Sequence, residues 1–294
     1  MTVRIGFKTS PQGVDWSVLD ATWAVAAHEP VFDSGWLNDH LTDPALDRGG
    51  ASFEAVTTLA GLAHHLRGRW IGHVVLSNTF RHPALLAKAT TTLDHLSGGR
   101  FVLGLGAGWH EHEHLDFGIP LPPLGERISR LESAVRVVRA LQSPAASGAA
   151  GVDLDDPYYP LRGAVDLPSP VEPGGIPIWL GGQGPRGLEL AARLADGWVV
   201  PSLPFVDVET FGARRAALRR RLDDVGRGDV PFRFAAQVPT GDDAASLTEA
   251  RSLGRGYAAA GATDLIIGMP ARLGPDGLRR LAAEVARPLH DALG

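Results

Sequence analysis

The chain has 294 residues, 44% of them apolar, with a formal net charge of -5 and no cysteine. That is enough apolar material for one sizeable core, while disulfides, thiolate-held metals, iron–sulfur clusters and cysteine nucleophiles are excluded. The acidic balance gives no broad basic field for nucleic acid or an anionic membrane, and no run approaches the roughly 18 apolar residues of a membrane span, so the expected partner is a small molecule.

The opening MTVRIGFKTS enters an alternating strand pattern directly, without the charged start and apolar run of a secretory leader, which points to the cytoplasm. Short β-rich runs then alternate with helical ones, the pattern of a parallel sheet. Strands are expected at residues 3–7, 33–37, 71–76, 100–105, 176–180, 197–200, 232–237 and 263–267. Between them Val56, Leu59, Ala60, Ala63 and Leu66 form one apolar stripe at helical period, and Leu85, Leu86, Ala89, Leu93 and Leu96 form a second. Pro83 can open that second helix because a missing N–H is harmless there, and Ser97, Gly98 and Gly99 offer a left-handed C-cap. Ile128, Leu131, Val135, Val138 and Leu141 mark a third helix. Eight strand–helix units in this length predict an α/β fold, a (β/α)8 TIM barrel forming one domain over residues 1–294, with an open doubly wound sheet as the rival. An insertion at about residues 142–175, between strands 4 and 5, is rich in Ala, Ser, Gly and Pro and lacks periodicity. It reads either as a lid over the active face, offering Tyr158 and Tyr159 to a ligand, or as a disordered surface loop.

In such a barrel the chemistry lies just past the strands' C-terminal ends. The stretches there are WLNDHL, LSNTFRHP, GAGWHEHEH, GGQGPRG and PSLP. In GGQGPRG, backbone N–H groups of a glycine turn entering a helix can converge on a phosphate, with Arg186 as a countercharge. The Walker and Rossmann spacings are absent, and a plain tight turn accounts for the glycines equally well. The HEHEH run from His110 to His114 fits HExxH literally, so a zinc hydrolase is one reading. Glycines and Trp109 precede the run and LDFGIPLPP follows it, leaving little more than one helical turn. A polar rim around a ligand pocket is therefore the favoured reading, with no metal bound. Asp39 and His40 form an adjacent acid and imidazole at a strand end, suited to proton transfer or to a structural role.

Together QGVDW, FDSGWLNDH, TFRHPALLAKATTTLDHLSGGRFVLGLGAGW, FGIPLPPLGERISRLE and PIWLGGQGPRGLELAARLADGW resemble the luciferase-like monooxygenase superfamily, and within it the deazaflavin-dependent oxidoreductases that use coenzyme F420. The match runs over nearly the whole chain. It implies a (β/α)8 barrel, often a homodimer, that holds a flavin-like ring across the strand ends and its phosphate after the fifth strand. By resemblance, Asp39 lies against the ring and His40 near its reactive carbon. Val74, Val75 and Leu76 match a bulge behind the ring that often contains a non-prolyl cis peptide. Gly106 to Gly108 match the strand end that lets the cofactor approach. Gly181, Gly182, Gln183 and Gly184, with Ser202, match the phosphate loop. The chain departs from the sugar-phosphate dehydrogenase branch at Trp109, where that branch has an acidic glutamate, so neither that substrate nor that proton donor is transferred. Glu111, His112 and Glu113 are the nearby candidates instead, and Trp109, His112 and Tyr158 are expected to line the substrate pocket. The resemblance favours F420 and hydride transfer. FMN with oxygen activation is the alternative, since both cofactors offer a planar tricycle, a ribityl chain and a phosphate. A cofactor-binding protein without catalysis is a third reading.

Overall fold

The computed structural model describes residues 2–44, 50–202 and 204–294. The chain lays down β1 (Arg4–Thr9), β2 (Ser34–Leu37), β3 (Trp70–His73), β4 (Leu76–Ser77) and β5 (Phe101–Gly106), then β6 (Val152–Leu154) and β7 (Leu161–Ala164). It continues with β8 (Ile178–Gly181), β9 (Gly197–Val200), β10 (Arg233–Pro239) and β11 (Asp264–Met269). All but β6 and β7 belong to one parallel sheet. Its ends meet because β3 and β4 both pair with β5, while β1 lies between β2 and β11. The sheet is a closed eight-stranded barrel, as the βα alternation predicts, and the open-sheet rival is excluded.

Outside it lie α1 (Trp16–Ala27), α2 (Ala55–Leu62), α3 (Pro83–Ser97), α4 (Glu111–Asp116) and α5 (Leu124–Leu141). They are followed by α6 (Pro185–Leu194), α7 (Val208–Asp224), α8 (Ala244–Ala259), α9 (Gly274–Leu281) and α10 (Arg287–Leu293). Helix α3 has Pro83 in its first turn and ends on Gly98 at φ 68°, the left-handed cap expected from the sequence.

Register partners in a parallel pair share a face. On β1, Ile5, Phe7 and Thr9 are buried toward the helices, whereas Lys8 pairs with Trp36 and Gly268 on the inner side. The interior is filled by Trp36, Val74, Val102, Trp179, Val199, Ala235 and Ile266. Trp36 and Trp179 stack with centroids 5.1 Å apart. Two large rings fit one narrow barrel because glycines face them: a Cβ on Gly72 would lie 2.6 Å from Trp36, and one on Gly197 2.6 Å from Trp179. Near the N-terminal ends, Asp264 accepts from Arg4 and Arg233, each at 2.7 Å, and Arg4 also covers Trp70.

Two expectations need correction. The third strand is not continuous from 71 to 76; it breaks at a cis peptide between Val74 and Val75, so β3 and β4 meet β5 separately. The insertion is not patternless. It contains a helical turn at Pro144–Ser147 and the antiparallel β6–β7 pair. It also bonds to the outer helices: Asp94 accepts from Val171 N–H (2.8 Å), Lys88 donates to Leu167 O (2.6 Å) and His95 bonds Ser169 O (2.9 Å).

Candidate active site

At the C-terminal mouth, the strand ends bring together residues far apart in the chain. Asp39 is buried, and Arg81 grips both its oxygens at 2.7 and 2.8 Å while Ser77 N–H donates at 2.8 Å. The same guanidinium bonds Glu54, the N-cap of α2. Burial opposes the Glu54 charge, but Thr57 N–H and Arg81 outweigh it and hold this carboxyl down at about 2. Burial likewise opposes the Arg81 charge, yet the two carboxylates hold it above its ordinary range. The Asp39 carboxyl is thus engaged by Arg81 and Ser77, and among the described residues no hydrogen bond joins it to His40.

His40 is joined instead to Glu113. Its carboxylate, 1% exposed, lies 2.9 Å from His40 Nδ1 and accepts from the backbone N–H of Leu41 (2.5 Å) and Thr42 (3.1 Å). Burial raises its pKa, but the His40 and backbone bonds prevail and lower it. These bonds favour the charged form of Glu113 and tie it to the imidazole through Nδ1. Nε2 is the His40 ring nitrogen that Glu113 does not engage. Trp109, 62% exposed, stands edge-to-face to the His40 ring with centroids 5.8 Å apart.

The rest of the HEHEH run separates by helical geometry. On α4, Glu111 and His112 are exposed while Glu113 and His114 point inward. His114 Nδ1 bonds His110 O and Nε2 bonds Thr79 Oγ1, each at 2.7 Å, so both ring nitrogens are occupied. Among the described residues the HEHEH run does not bring three donor atoms together at metal-binding spacing, which counts against the zinc reading.

Two glycines at the strand ends lie against the Val75 side chain. A Cβ on Gly106 would lie 2.7 Å, and one on Gly181 3.2 Å, from Val75 Cγ2. These positions therefore make room for the bulge side chain, which crosses toward β5 and β8. Gly108, at φ 82°, meets Thr79 and Ser77 instead. Behind this layer Lys8 Nζ donates to Gln237 Oε1 at 2.7 Å, and burial pulls the ammonium down to about 8.

On the β8 side, Gly182 takes φ 124°, and Gly184 caps α6 without a side-chain bond and with open space at its Cβ. Gln183 is held by Arg214 of α7. Arg186 turns away to Gly125 O and Ser129 Oγ, both at 3.2 Å, so the cation tied to this loop is Arg214. Ser202 follows β9 and is partly buried, and Leu203 of the PSLP stretch lies outside the described residues. Tyr158 lies under the Arg130 guanidinium of α5, 4.9 Å from its ring centroid, and is not brought to the His40 cluster. Sequence reasoning missed Arg81, Lys8 and Arg214. Their partners lie 42, 229 and 31 residues away, beyond any local pattern.

Two buried acceptors at this end, Asn38 Oδ1 and Asn78 Oδ1, have no hydrogen-bond partner. Buried polar atoms are normally satisfied. With the uncapped α6 terminus, they fit a planar ligand that has N–H donors and an anionic arm.

A family model described as luciferase-like monooxygenase matches residues 20–289. An F420-dependent glucose-6-phosphate dehydrogenase of Nakamurella multipartita is 32% identical over 76% of this chain and 63% of its own length. A phthiodiolone/phenolphthiodiolone dimycocerosates ketoreductase of a Mycobacterium species is 33% identical over 70% of this chain and 56% of its own. The chain thus spans less than two thirds of these relatives. An F420-dependent secondary alcohol dehydrogenase, solved with an F420-acetone adduct, shares the fold with a TM-score of 0.79 at 17% identity, covering 97% of this chain and 98% of that one. On the extent of the family match, joined to a closed barrel with a split third strand, the chain belongs to the luciferase-like monooxygenase family.

Proposed function

We propose that the protein is an oxidoreductase that binds coenzyme F420 at the barrel mouth and exchanges a hydride with a small organic carbonyl, alcohol or activated alkene. Bound there, the deazaflavin supplies a ring carbon that gives or takes hydride and reacts poorly with oxygen. The observation that carries this reading is the buried Glu113–His40 pair beside the split strand. Glu113 fixes the imidazole through Nδ1, and Nε2 delivers a proton to the substrate oxygen on reduction or receives it on oxidation. The Val74–Val75 bulge backs the ring, Asn38 and Asn78 accept its polar edge, and Lys8 provides the positive charge beneath the mouth. Gly181, Gly182, Gln183 and Gly184, with Arg214 and the α6 N–H groups, take the phosphate arm. Trp109 presents an apolar wall to the substrate, next to His112 and Glu111 on the rim.

Both named curated relatives use F420 or reduce a ketone by their names, which supports the class without fixing the substrate. No helix among the described residues is long and apolar enough to cross a membrane. We expect a cytoplasmic homodimer. The test is stopped-flow oxidation of bound reduced F420 across ketones, enones and nitro compounds. Transfer to at least one class under anaerobic conditions is expected. Binding with no transfer to any of them would mark a carrier, and oxygen-dependent turnover with FMN would mark a monooxygenase; either outcome contradicts the proposal.

A further inference from the structure

Away from the mouth, the helical shell holds a second set of donor atoms. Asp20 lies on α1, while His64 and His65 lie on the 3-10 turn Ala63–Leu66 that continues α2. One ligand atom from each falls within 4.8 Å of the others, the one such group among the described residues. His65 Nε2 lies 2.8 Å from Asp20 Oδ1, and the two imidazole rings have centroids 3.8 Å apart at a 40° tilt. His64 Nδ1 bonds Gly61 O at 2.9 Å. A carbonyl accepts only, so that nitrogen carries the hydrogen and the Nε2 lone pair is free. Histidines that ligate metals are commonly held this way, with the other ring nitrogen donating to a backbone carbonyl.

We propose that Asp20, His64 and His65 form a metal site that takes zinc or a similar first-row divalent ion, with one position left to water. Two imidazoles and a carboxylate are a donor set that zinc accepts. Metal–ligand bonds of about 2.0–2.2 Å in a tetrahedron require donors about 3.4 Å apart. The exposed His64 and the partly exposed Asp20 can close to that spacing by side-chain rotation. The carboxylate supplies negative charge, and the Nε2 proton that His65 now shares with it moves to Nδ1 or is released, so that the freed lone pair and the carboxylate hold the cation together. Such an ion ties α1 to the turn after α2 and is separate from hydride transfer.

The experiment is calorimetric titration of the whole chain with zinc chloride, repeated on His64→Ala, Asp20→Asn and His112→Ala. One equivalent is expected, bound at least tenfold more weakly after either of the first two changes and unaltered by the third. Zinc should also raise the thermal midpoint of the unmodified chain and not that of His64→Ala. His64 is exposed, so that variant remains a folded control, checked by circular dichroism. Absence of stoichiometric binding, binding that survives His64→Ala, or loss on His112→Ala would overturn the site.

Discussion

His40 is set by what surrounds Nδ1. A buried carboxylate that already accepts two backbone N–H bonds cannot move without leaving those donors unpaired, so Glu113 holds the ring in one orientation. Replacement of His40 by Ala should slow anaerobic hydride transfer by on the order of 100-fold while leaving cofactor affinity unchanged. Glu113→Gln keeps the side-chain shape and removes the carboxylate that anchors Nδ1. It should slow anaerobic transfer less than His40→Ala does; an unchanged rate would assign Glu113 a packing role only. Asp39 and His40 stood out from the sequence as neighbours of complementary chemistry. What a local reading could not supply was their separation into different networks, since Arg81 and Glu113 come from other units.

Among the elements, β3 carries a pH response. His73 ends that strand fully buried, with Nε2 on Ala55 O at 3.0 Å and Nδ1 without a partner. Burial pulls its pKa down from 6.5 to about 4. Above the unfolded value both states are neutral and the group adds no pH dependence. As pH falls from 6.5 to about 4 the unfolded chain takes up the proton and the fold does not, so stability declines across that window. The loss approaches roughly 3 kcal/mol at its lower end. Urea unfolding at pH 7.0 and 4.5 should show this decline, and His73→Asn should flatten the slope between them. The helices were legible because each presents an apolar stripe at 3.6-residue spacing. The β3–β4 break was legible only through the family resemblance, which implies a bulge with a non-prolyl cis peptide at Val74, Val75 and Leu76; by local pattern Val74 and Val75 read as ordinary strand residues. The β6–β7 pair was hidden by its own polarity: Val152 and Leu154 are only partly buried, and Arg162 and Gly163 face solvent.

At the scale of the molecule, eight βα units predict closure of the barrel, and closure brings the chemistry to one end. The glycine-rich PIWLGGQGPRG stretch was ambiguous between anion cradle and tight turn, and its place beside α7 gives it Arg214 as a cation. The central claim is that this mouth selects a deazaflavin. Parallel fluorescence titrations of the apo-protein with F420 and FMN under identical buffer test it most directly. Tighter binding of F420, weakened by Arg214→Ala, is the predicted result; tighter binding of FMN, or saturable binding of neither, would contradict it.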